Sequence, residues 1–223
     1  MRMPRTATDV YVEVGAKRAF AGALAWPGWC RSGRDEAAAL EALATYGDRY
    51  ARVVGRAVPG FGPPARVGDL HVTERLRGGA GTDFGAPSIA PVVDAEHLDP
   101  RGLDRLQTIL EACWAAFDRA ARGAEGMELA KGPRGGGRGL DAIVDHVVGA
   151  EGGYLRRLAA RPPSEASAGD MRDAVRNALS RAVRDGLPDA GPRGGKIWTA
   201  RYFVRREAWH VLDHAWEIED RRG

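Results

Sequence analysis

A chain of 223 residues, 44% hydrophobic and 28% charged, can bury one ordinary core or two small ones and has the composition of a globular protein, not a fibrous or disordered one. No stretch approaches the roughly 18 uninterrupted apolar residues of a membrane span, and MRMPRTATDVYVEV carries Asp9 where a secretory leader needs an apolar run, so the cytoplasm is the expected location. The formal charge of +3 is spread among interleaved acids and bases, which calls for no nucleic-acid partner and no membrane, though a small anion can be steered by it.

In chain order, VYVEV (10–14) alternates apolar and polar residues and predicts a strand, and AFAGALAWPGWC (19–30) predicts a second that stops near Pro27 and Gly28. RDEAAALEALATYGDRYARVV (34–54) switches to helical spacing, with Leu40, Leu43, Ala44 and Tyr50 down one side and Asp35 and Glu36 favourably placed in the first turn. DLHVTERL (69–76) reads as a further strand, and the glycines and proline of GGAGTDFGAP as loop. Cys30 and Cys113 lie too far apart, and are too few, for a disulfide framework or a four-thiolate zinc site.

After about residue 97 the period becomes 3.6. Leu103, Leu106, Leu110, Cys113 and Phe117 mark one helix face; Leu140, Ile143, Val147, Tyr154 and Leu158 mark a second. Val175, Leu179 and Val183 mark a third, and Val204, Ala208, Val211, Ala215 and Ile218 a fourth. Joined by GPRGGGRG, PPSEASAG and LPDAGPRGG, these helices predict an antiparallel four-helix bundle. The expected fold class is thus an α+β N-terminal module over residues 1–95, followed by an all-α four-helix bundle over 96–223. GPRGGGRG is a linker by its spacing, since no strand precedes it and it fits no phosphate-binding fingerprint.

The fourth helix holds REAWHVLDHAWEIED, with His210 and His214 four apart and therefore on one face. By wheel angles they sit at the margin of the apolar arc beside Phe203, away from a solvent side marked by Arg206, Asp213 and Glu217. His146 lies between Ile143 and Val147 on the core-facing stripe of the second helix, so its ring enters the same interior. Three inward imidazoles are costly unless something joins them. A divalent ion on His146, His210 and His214, most naturally zinc or nickel, would keep positions open for water or substrate and lower the pKa of a bound water or thiol. His71 and His97 read as surface or hydrogen-bonded residues.

Glu151, Glu207 and Glu217 are candidate proton carriers, and Glu207, one turn before His210, is the best placed of them as a catalytic residue. Arg201, Arg205 and Arg206 either meet an anionic substrate or cover the helix. Phe203, Tyr154 and Trp114 are the candidate pocket walls. Trp209 and Trp216 read as packing residues, and Cys30 as a small side chain in a turn.

The helix order, with one histidine in DHVVGAEGGYLRRL and H-x-x-x-H in AWHVLDHAWEIED, resembles the DinB-like superfamily over about residues 98–221. The resemblance implies a four-helix bundle whose three histidine positions hold a divalent metal. It also implies an activity of the kind some members have, thiol-dependent transfer or isomerisation with mycothiol or bacillithiol as the thiol. VYVEVGAKRAFAGALAWPGWCRSGRDEAAALEAL resembles the HicB-type antitoxin module, with its strand pair, its Pro27, Gly28 and Cys30 turn, and its acid-started helix. That likeness implies a protein-partner-binding module and no catalytic set.

Three functions are therefore expected to compete. One is a metal-dependent transferase or hydrolase acting on a small-molecule substrate or thiol. The second is a non-catalytic binding or regulatory protein with a structural metal, and the third an antitoxin-like partner-binding protein. Substrate and oligomeric state stay open, homodimer included.

Overall fold

The computed structural model describes residues 7–55, 57–131, 137–191 and 195–222. Most of GPRGGGRG and the middle of LPDAGPRGG lie outside the described residues. The chain forms two compact units, Met1–Glu96 and His97–Gly223, the first α+β and the second helical.

In the first unit a four-stranded mixed sheet runs in the order β3-β2-β1-β4. β1 (Thr8–Val14) pairs antiparallel with β2 (Ala19–Ala23) and parallel with β4 (Leu70–Arg77), and β3 (Cys30–Gly33) extends the β2 edge. The single strand expected over 19–30 is thus two strands around a turn. Gly28 takes φ 92 there, a conformation glycine adopts without penalty. CRSG has one apolar residue in four and carries no strand signature, which is why the sequence hides β3.

Aromatic packing pins that turn. The Trp29 indole N–H donates to the Leu43 carbonyl at 2.9 Å, and the Tyr50 hydroxyl donates to the Pro27 carbonyl at 2.8 Å. Leu43 and Tyr50 sit on α1 (Glu36–Thr45) and α2 (Gly47–Val54), so the helix expected over 34–54 is broken at Tyr46. Gly47 allows the break to be covered closely, because a Cβ there would meet the Pro64 ring at 2.8 Å.

The alternation read in VYVEV does not survive burial, since Val10 to Glu13 are all buried. β1 is an inner strand. The Glu13 carboxylate is held by the backbone N–H groups of Ser88 and Ile89 and by the Thr82 hydroxyl, donors that compensate a buried charge. Thr82 lies on a short helix, α3 (Ala80–Phe84), in a segment expected to be loop throughout.

The second unit contains α4 (Pro100–Arg122), α5 (Leu140–Leu155), α6 (Ala168–Asp185) and α7 (Ala200–Arg221). The N-termini are fixed by side chains: Asp99 accepts from Gly102 N–H, Ser167 and Asp170 form a capping box, and Thr199 accepts from Tyr202 N–H. The apolar faces read from the 3.6 period meet in one core that includes Leu110, Phe117, Ile143, Val147, Val175, Leu179, Phe203, Val211 and Ile218. α4 and α5 each pack on both α6 and α7.

Cross-helix pairs fix the directions. Arg172 binds Asp118 and Arg176 approaches Glu111, so α6 runs against α4. His146 meets His210 and Tyr154 meets Arg206, so α5 runs against α7. Arg201 reaches the His97 carbonyl at one end and Arg222 the Gly123 carbonyl at the other, so α4 and α7 are parallel. It follows that α5 and α6, consecutive in the chain, are also parallel, which corrects the expectation that each helix reverses the last. The connection over 156–167 makes this feasible: α5 rises about 24 Å, and that many extended residues reach up to about 40 Å.

Candidate metal centre

α7 carries the site and is unusual in its burial. Every residue from Tyr202 to Leu212 is buried, including Arg205, Arg206, Glu207 and His210. With α5 antiparallel beside it, His146 comes level with the one-turn pair His210 and His214. The three rings form a nearly equilateral triangle, with centroids 5.0, 4.9 and 4.7 Å apart.

One ligand atom from each ring can be chosen so that all three lie within 4.8 Å of one another. The Nε2 atoms of His146 and His210 are 3.2 Å apart. Nitrogens about 2.0–2.1 Å from a tetrahedral zinc would be separated by about 3.3 Å, so this pair already has the edge a metal needs. The third nitrogen can close on the same point by a ring movement of about 1 Å. The residues therefore fit a three-histidine ion.

Electrostatics favours the neutral form of two of the rings. Burial, then the neighbouring His214, His146 and Arg206, depress the His210 pKa to about 2; burial foremost, then His214 and Arg138, lowers that of His146. Neutral imidazole is the ligating form. His214 is oriented from outside. Its Nδ1 lies 2.8 Å from Glu217 Oε2, and since a carboxylate only accepts, Nδ1 carries a proton, which leaves Nε2 as the nitrogen able to ligate. Arg221 donates to the other Glu217 oxygen at 2.7 Å. The His214 hydrogen bond chiefly, aided by Arg221, holds the Glu217 carboxyl below its usual range. Glu217, expected on the solvent side or as a proton carrier, is the carboxylate that orients the His214 ring. H-x-x-E followed by E-x-x-x-R on one helix was the signal for it.

Glu207 is placed elsewhere. It is fully buried beside Glu151, with no N–H or O–H donor to either oxygen from the surrounding protein. Its leading partners are Glu151, Trp114 and Arg206, not the three rings. Burial, then the charge and hydrogen bond of Glu151, raise its pKa well above the ordinary value. Glu151 is also raised by burial, and its Oε1 accepts the Trp114 indole N–H at 2.7 Å. The two acids thus form a buried pair in which burial and mutual repulsion favour the protonated form of Glu207.

The pocket walls differ in part from those expected. Tyr154 sets its ring edge-on to His210 at 5.7 Å, and Trp209 lies tilted at 6.1 Å. Trp114 belongs to the Glu151 pair instead, and Phe203 is core. Arg206, expected on the solvent side, is 8% exposed. Its guanidinium lies over the Trp209 and Tyr154 rings at 4.8 and 5.6 Å and donates to the Tyr154 hydroxyl. The expectation failed because charge implies solvent only on a helix with an open side.

Burial raises the Cys113 thiol, with Glu207 adding to the effect, so it stays protonated and is neither ligand nor nucleophile. Cys30 is buried against the Tyr11 hydroxyl. His71 pairs with Asp9 at the surface, and the His97 carbonyl accepts from Arg201. No family description, curated protein or solved structure matches this chain.

Proposed function

We propose that the helical unit is a DinB-like bundle and that His146, His210 and His214 hold one divalent ion, zinc or nickel, in the service of a thiol-dependent transfer or a hydrolysis. The observation that carries this is the triad itself: three imidazoles from two helices, their ligand nitrogens within 4.8 Å. A bound ion with only three protein ligands would leave room for water or a low-molecular-weight thiol such as mycothiol and would lower the pKa of either.

The chain's own contributions follow from the geometry. Glu217 fixes the His214 tautomer and ring angle. Burial keeps His210 neutral, and Tyr154 and Trp209 restrict water beside it. The buried Nδ1 of His210 has no hydrogen-bond partner among the described residues, so its ring is held by the packing of Tyr154 and Trp209. Glu207 is assigned no role at the triad in this account, because its leading partners are Glu151, Trp114 and Arg206 and not the three rings. A catalytic zinc keeps an open position where a structural one has four protein ligands, and the triad offers three.

The N-terminal unit, in the same proposal, is a HicB-like module for a protein partner and supplies no catalytic group. Cobalt substitution tests the enzymatic reading. Small thiols titrated into the cobalt protein should produce a sulfur-to-cobalt charge-transfer band that disappears in His214→Ala. A spectrum unchanged at saturating thiol eliminates the thiol-dependent form.

A further inference from the structure

A cleft of about 730 Å³ opens where α5 ends, walled among the described residues by Arg156 and Arg157 with residues 159–162 on one side and by Gly191, Gly195 and Lys196 on the other. Four cationic side chains line it: Arg156, Arg157, Arg161 and Lys196. The remaining lining residues are glycines, alanines and Pro162, so no carboxylate shares the cavity.

The four differ from the paired cations of the unit by converging on one cavity that no carboxylate lines. Elsewhere in the unit Arg172 binds Asp118, Arg221 binds Glu217 and Arg184 binds Asp185. The cleft cations have no carboxylate partner among the described residues. Residues outside the described set contain no aspartate or glutamate in the sequence to supply one.

Their placement is fixed by backbone contacts. Arg157 donates to the Lys196 carbonyl at 3.2 Å, and its own carbonyl accepts the Trp198 N–H at 2.9 Å. These bonds tie the two walls together at one point. Ala159, with φ 54 in the left-handed region, ends the helical turn and redirects the chain so that Arg161 lines the same cleft as Arg156 and Arg157. The helix C-terminus accounts for Arg156 and Arg157, which follow the last residue of α5. It does not account for Arg161 and Lys196, and roughly half a negative charge at a helix end does not offset four full positive ones.

The geometry points to an anion-binding site in this cleft, taking a small molecule with two or more closely spaced negative charges on phosphate or carboxylate groups. The volume falls within the range of small-ligand pockets, about 300–1,000 Å³, and although all four cations are exposed, their convergence on one cleft gives a local positive potential for such groups. The site is independent of the metal reading.

Calorimetric titration of the metal-stripped full chain at low ionic strength tests it, with inorganic pyrophosphate and citrate as separate probes. Stripping matters because both chelate divalent ions. One saturable site is expected for at least one probe, and which of them binds distinguishes phosphate from carboxylate. Arg161→Glu with Lys196→Glu should weaken binding by about tenfold or more, the loss expected for two charge-assisted contacts. Arg161→Gln with Lys196→Gln should weaken it less, and Arg181→Glu with Arg184→Glu, outside the cleft, should leave it unchanged. His210→Ala should bind the anion as tightly as the parent, which separates failure here from failure of the metal centre. Absence of saturable binding of both probes at millimolar concentration, or equal affinity in the Arg161 and Lys196 variants with their circular dichroism unchanged, would overturn the assignment. A short single-stranded oligonucleotide that binds while neither anion does would also overturn it and replace the small ligand with a nucleic-acid surface.

Discussion

Burial raises the Glu207 carboxyl, and this gives a signed prediction. Its folded pKa is raised, so the stabilisation is complete below the unfolded value of about 4.5 and is lost as pH rises through the folded pKa, at up to about 1.4 kcal/mol per pH unit. Glu207→Gln removes this dependence. Urea unfolding should show the variant close to the parent at pH 4.5 and more stable at pH 8; an equal difference at both pH values would contradict a raised Glu207 carboxyl. Glu217→Leu, which leaves the three histidines in place but removes the acceptor that aims His214, should lower metal affinity about 10–100-fold, measured by competition with a chromophoric chelator. The three histidines were legible in the sequence because their spacing and helix faces are local properties. The burial of Arg206 and Glu207 was not, because it depends on what surrounds α7, and the sequence of α7 does not encode its neighbours.

At the scale of elements, the 3.6 period located α4 to α7, and the acids at Asp35 and Glu36 marked the start of α1. Directions were another matter. Nothing in PPSEASAG distinguishes a reversal from a climb back along α5, because both use exposed, extended residues. The strand β3 and helix α3 were hidden for a similar reason: each is short and is held by contacts remote in sequence, Trp29 with Leu43 and Thr82 with Glu13. The capping box at Ser167 starts the helix that returns after that connection. Ser167→Ala should therefore cost about 1 kcal/mol, seen as a lower denaturant midpoint with an unchanged slope. No shift would mean that packing of Met171 and Val175 alone sets the helix start.

For the whole molecule, the division at Glu96 and His97 leaves every triad residue, and Glu217, within the second unit. A fragment of residues 97–223 is accordingly expected to fold and retain the metal, and limited proteolysis should yield it. A C-terminal fragment that unfolds on cleavage would show that the units depend on each other for stability. The central claim is that three histidines from α5 and α7 hold an ion, and metal analysis of protein purified without an affinity tag tests it most directly. The account predicts one zinc or nickel per chain in the parent, most of it lost in His146→Ala, His210→Ala or His214→Ala and retained in His71→Ala. Substoichiometric metal in the parent, or equal content in parent and His210→Ala, would contradict it.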